Sequence, residues 1–190
     1  NDAAAITTRG RSQIELVANG SAPSYERFGS VTTAQGSLAI EFDKVNGSAQ
    51  SQTLEMANLV RTPGSIIGFH ASDLQQGVFA STGASNITVN LLDSGTSLTQ
   101  IGSSGAVGSQ NRSVVLGVFG GDGVDVGVDA RPATPSRADE FMTVDAGRLR
   151  TLLPSEMVSL GGRSTNALSI SQASAATDAN VNIDFMSTSM

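Results

Sequence analysis

The chain contains no cysteine and no tryptophan, one histidine, one tyrosine and a single lysine, Lys44. Without cysteine it can build neither a disulfide framework nor a thiolate zinc site. The lone histidine, His70, has no second His or Cys to share a metal or activate a nucleophile, so it reads as a structural residue. Charge is scarce too: 15% of residues are charged, against about 25% in an average soluble protein. The net charge is −6 and the arginines are scattered, so no basic stripe points to nucleic acid and no polybasic patch to a membrane surface. No apolar run approaches the ~18 residues of a membrane helix, which argues against membrane insertion. The start of the chain lacks the charged and apolar regions of a signal peptide, and Asn1 reads as a mature terminus left by removal of a secretion signal.

What is present is strand-forming. With 190 residues and 39% apolar side chains, the chain suits one domain with a proper core, or a domain plus a tail. Gly, Ser, Ala, Thr and Asn fill the space left by charge, a composition common in secreted structural proteins. Residues 1–18 alternate cleanly: Ala4, Ile6, Thr8, Gly10, Ser12, Ile14 and Leu16 are small or apolar, whereas Arg9, Arg11, Gln13 and Glu15 are polar. Successive strand side chains point to opposite faces, so this segment has one face for a groove and one for water. Such a terminal strand pairs within its own domain or is lent to a neighbour by strand addition.

Similar runs follow at Leu38, Ile40, Phe42; Ile87, Val89, Leu91; Val114, Leu116, Val118; Val124, Val126, Val128; Leu168, Ile170; and Val181, Ile183, Phe185. Flanked by Gly, Ser, Asn or Asp, they predict half-buried antiparallel strands. No fixed-period repeat stands out, and long turn-rich separators favour an all-β sandwich over a solenoid. Short helices are expected over 136–144 and 146–153, between Pro135 and Pro154.

Two motifs suggest sharper chemistry. Leu91-Leu92-Asp93-Ser94-Gly95 resembles the signature of aspartic proteases, but that chemistry needs two carboxylates sharing a proton and one motif is present. A retropepsin-like homodimer would be required to supply the second, so the protease is the least favoured reading. Gly120 to Asp125 fits the opening of a calcium-binding nonapeptide, yet such repeats bind only when stacked copies supply oxygens. No catalytic residue, metal or cofactor is therefore assigned, and the chain is read as a non-enzyme.

Three segments resemble major pilins of the chaperone-usher type. They are Asn86 to Leu98 (NITVNLLDSGTSL), the C-terminal AATDANVNIDF ending at Phe185, and the N-terminal alternation with Gly10 midway. The commonest form of that family carries a disulfide, which this chain cannot form. The resemblance implies an incomplete immunoglobulin-like antiparallel β-sandwich over 19–190, with one or two short helices in connections and residues 1–18 as a donor strand. Ala4, Ile6, Thr8, Gly10, Ser12, Ile14 and Leu16 would fill the groove of a neighbouring subunit, bordered there by Val181, Ile183 and Phe185. The partners so implied are further copies of the chain, a periplasmic chaperone and an outer-membrane usher.

Burying Ile6, Ile14 and Leu16 is worth roughly 1.5–3 kcal/mol each, and about ten main-chain hydrogen bonds add a net ~1 kcal/mol apiece. The expectation is a secreted, cell-surface filament subunit that polymerises by donor-strand exchange, with a role in adhesion or biofilm. A virion structural protein, a capsid decoration or tail component with an interlocking arm, is the alternative.

Overall fold

The computed structural model describes residues 3–19, 21–43, 51–71, 87–121, 140–156, 158–159 and 181–182. They are mostly strand, with almost no helix. In chain order these are β1 (Ile6–Val17), β2 (Ser24–Asp43), β3 (Gln52–Arg61), β4 (Ile66–Ala71), β5 (Ile87–Leu91), β6 (Gln100–Ile101), β7 (Val114–Val115), β8 (Val118–Gly121), β9 (Glu140–Asp145), β10 (Arg148–Thr151), β11 (Val158–Ser159) and β12 (Val181–Asn182). One 3-10 turn, Pro154–Glu156, is the only helical element among the described residues.

Eight strands form one mixed sheet that returns on itself, because β2 pairs with β1, β3 and β4. The first half of β2 lies along β3, with Ser24 opposite Gln52 and Val31 opposite Leu59. Its second half lies along β4, with Leu38 opposite Ile67 and Ile40 opposite Phe69. β3 continues to β5 and β4 to β8, all parallel. The chain thus winds as a short parallel coil: β2 is one turn, β3 with β4 the next, and β5 with β8 the third. β1 adds a partial turn at the start, parallel to β2 from Ile6–Val31 to Val17–Asp43.

The side-chain pattern explains the bend within each turn. In β2 the buried positions are Val31 and Thr33 before the corner, then Leu38, Ile40 and Phe42 after it. Odd positions give way to even ones, so one residue is taken up at the corner and the apolar set stays inside. Gly36, at φ +81°, makes that corner, and Gly64, at φ +86°, makes it again in the next turn. Left-handed backbone of this kind favours glycine. Leu38, Phe42, Leu54, Met56, Phe69, Val89 and Val118 meet in a single core cluster; full burial of each such side chain contributes about 1.5–3 kcal/mol.

The third turn is interrupted by residues 92–117, which carry the small β6–β7 pair. Beyond it, β9 and β10 form an antiparallel hairpin that bridges β5 and β8 and closes that end of the coil. Arg150 and Glu156, both fully buried, pair at 2.7 and 2.8 Å and fasten the hairpin to the 3-10 turn. Glu156 also accepts from the Gly108 amide at 2.9 Å, tying in the interrupting segment.

Two expectations change here. The alternating runs were expected to pair antiparallel, but β1 to β5 and the β4–β8 pair are parallel, because a coil brings each strand beside its successor running the same way. Helices were expected at 136–144 and 146–153, whereas Glu140–Asp145 and Arg148–Thr151 are strands; residues 136–139 lie outside the described residues. The decisive feature is Ala146-Gly147, both at positive φ (47° and 83°), which makes the two-residue turn that joins neighbouring antiparallel strands. The Val114 to Val118 run is also split, into β7 and β8, by the Leu116-Gly117 turn.

Candidate functional site

β1 is the segment singled out by its alternation, and its geometry follows that pattern except at Ala4, just before the strand, and Gly10, which are exposed. Arg9, Arg11, Gln13 and Glu15 are exposed, whereas Thr8 is buried and Ile6, Ser12, Ile14 and Leu16 are half-buried. Ile6, Ile14 and Leu16 pack against the core cluster. The strand is held at both ends: the Gly29 amide donates to the Ala4 carbonyl at 2.9 Å, and the Ala18 amide to the Asp43 carbonyl at 2.8 Å.

Gly10 sits directly opposite Gly36 at the corner. A Cβ on Gly36 would run into the Gly10 carbonyl, whereas a Cβ on Gly10 would meet open space. The two glycines therefore serve different purposes. Gly36 allows close approach of the backbones, and Gly10 supplies the positive φ (77°) of the bend.

The far end of β1 is acidic. Glu15 lies opposite Glu41, and Asp43 follows two residues on. A hydrogen bond with the Asp43 carboxyl, then the charges of Asp43 and Glu41, hold the Glu15 carboxyl above its ordinary range. Gln13 donates to Glu41 Oε2 at 2.7 Å, adding a neutral donor to this group. Beside it an open depression of about 510 Å³ is lined by Glu15, Val17, Asn19, Tyr25, Glu26 and Thr53.

Among the described residues, β1 and Val181 pair with different strands. β1 lies on β2 of its own chain, and β2 was not foreseen as its partner. Val181 pairs in parallel with Val158 in a separate two-stranded sheet, and Ile183 and Phe185 lie outside the described residues. A sequence feature does mark the β1–β2 pair. Ile6-Thr7-Thr8 meets Val31-Thr32-Thr33 in register, Gly10 meets Gly36, and Ile14-Glu15-Leu16 meets Ile40-Glu41-Phe42. The extra residue Ala34 breaks the spacing and hides the repeat from a fixed-period search.

The Asp93 motif falls in an ordinary turn. Asp93 accepts from the Gly95 and Ser97 amides at 2.9 and 3.0 Å, capping a turn. Burial alone would raise its carboxyl, but these bonds and the Ser97 and Thr96 hydroxyls bring it below the ordinary value. Gly120 and Gly121 end β8, and Asp122 to Asp125 lie outside the described residues. His70 stands opposite Glu41 on β4, its ring over Gly68. Among the described residues no group of three or more His, Cys, Asp or Glu is arranged to hold a metal ion, and no helix is long and apolar enough to cross a membrane. No family model matches the chain, and neither a characterised protein nor a solved structure matches it.

Proposed function

We propose that the chain is a non-enzymatic structural subunit of a secreted surface filament, with β1 as the exchangeable joint between neighbours. One observation carries the reading: β1, twelve residues long, pairs with β2 alone among the described strands, and its inner side chains are less buried than those of β2. Only residues 18–23 link it to β2. A strand held by one edge on a short link can leave and be replaced by the same strand from the next copy. The replacement makes identical contacts, so exchange costs little, and repeated head to tail it yields a filament.

In this reading β2 is the acceptor, presenting Val31, Leu38, Ile40 and Phe42 on its inner face. The fimbrial version, an incomplete immunoglobulin-like sandwich completed by a donated strand, sets the acceptor at Val181, Ile183 and Phe185 instead. Either version leaves an apolar edge uncovered before assembly, which invites aggregation. A periplasmic chaperone and an outer-membrane usher would cover and deliver it. A sparsely charged chain rich in Gly and Ser suits such a cell-surface role in adhesion or biofilm.

Negative-stain microscopy of the full chain and of a form lacking residues 1–18 tests the reading. Fibres are expected from the full chain and none from the deletion, which should bind a synthetic peptide of residues 1–18 and stay monomeric and folded. Fibres from the deletion, or a full chain that never forms fibres, would overturn it.

A further inference from the structure

The edge of β1 that faces away from β2 has a pattern of its own. Among the described residues no strand pairs with it. A long edge strand attracts another strand unless it is blunted by proline, lysine or a bulge. β1 has no proline or lysine, and its one register irregularity, between Thr8 and Arg9, leaves Gly10 to Val17 regular. The exposed charges along it are polarised. Arg9 and Arg11 occupy the first half; Glu15, beside Glu41 and Asp43 of β2, occupies the second. A parallel in-register neighbour would set arginine against arginine and glutamate against glutamate, whereas an antiparallel one sets opposite charges together.

We propose that two copies of this chain associate through a two-fold antiparallel β1–β1 contact centred on Gln13, with Arg11 of each copy opposite Glu15 of the other. Centred on Gln13, the pairs from Gly10 to Leu16 fall within the regular segment and opposite charges meet, whereas a centre at Ile14 would set Gln13 against Glu15 and Arg11 against Val17. Side-chain sizes then complement one another across the axis. On the face that carries Ile14 and Leu16, Ile14 meets Ser12, and Leu16 meets Gly10, which is itself exposed and leaves open space where a side chain would stand. On the outer face Val17, 60% exposed, meets the stem of Arg9. The contact covers Ile14 and Leu16, which a single chain leaves half-buried. It also places a cation against an acidic group that already crowds Glu15 with Glu41 and Asp43. A two-fold contact is self-complementary and closes as a dimer. It goes beyond the filament joint, which uses the edge of β1 facing β2.

Sedimentation velocity over a concentration series, with circular dichroism to confirm folding, tests the contact. At concentrations below those that give fibres, the native chain should dimerise. Arg11→Glu and Glu15→Arg should each raise the dimer dissociation constant about tenfold or more, since both symmetric pairs turn from attraction to repulsion. Combining the two changes should restore the dimer. Because the chain has no cysteine, Gln13→Cys gives a clean second reading. Directly opposed antiparallel residues lie about 4.5–5.5 Å apart at Cα, within disulfide reach, so this variant should cross-link to itself on oxidation while Arg9→Cys should not. A native chain that stays monomeric, folded single variants that dimerise unchanged, a double variant that stays monomeric, or self-cross-linking through Arg9→Cys would each overturn the proposal.

Discussion

Gly36 and Ala146 show how single positions set the backbone course. Gly36 is fixed from outside itself, by the Gly10 carbonyl of the strand alongside, so its necessity is visible only once β1 and β2 are paired. Ala146 is the opposite case, an L-residue at φ 47° in a turn whose chemistry prefers Asn or Gly. Ala146→Asn should therefore stabilise the chain by about 0.5–1 kcal/mol, relieving left-handed strain, read as a higher denaturant midpoint at unchanged slope. That alanine is also why a hairpin was not foreseen: Asp145-Ala146-Gly147 lacks the Asn-Gly or Asp-Gly pair that marks such turns in sequence.

At the scale of the element, β1 balances an apolar inner side against a crowded acidic end. Asp43 and Glu41 raise the Glu15 carboxyl, so the folded chain binds this proton more tightly than the unfolded chain does. The associated stability is fully present below the ordinary carboxylate value and is lost as pH rises through the raised one. Glu15→Gln should raise the melting temperature at neutral pH relative to the native chain, and that difference should shrink on acidification towards about pH 4. A difference that stays constant with pH would show that the carboxyls do not interact. Which residues of β1 face inward was legible from alternation alone. Its partner and direction were not, since period-two alternation is the same for a parallel or antiparallel neighbour.

Across the described residues, β1 ends the sheet on one side of the coil and the hairpin closes the other, where Arg150 and Glu156 hold three separate segments together. Burial alone would raise the Glu156 carboxyl, but hydrogen bonds from Arg150 and the Gly108 and Leu153 amides, with the Arg150 charge, lower it to about 2. Its contribution to stability is therefore present above the ordinary glutamate value and is lost as pH falls towards about 2. Glu156→Gln should cost about 3 kcal/mol, because it removes the buried partner of Arg150 and leaves only the longer pair with the half-buried Asp145 carboxylate at 3.4 Å; thermal unfolding at neutral pH measures it.

The sequence by itself determined a strand-rich chain, the inward faces of β1, β5 and the second half of β2, and the absence of any disulfide to staple them, since side-chain alternation and composition are local properties. The tertiary structure decided that these strands wind in parallel, that β1 lies along β2 of its own chain, and that Arg150 and Glu156 meet in the interior. Those outcomes rest on contacts between residues distant along the chain, and the unequal spacing of Gly10, Gly36 and Gly64 conceals the turns until their corners are seen stacked.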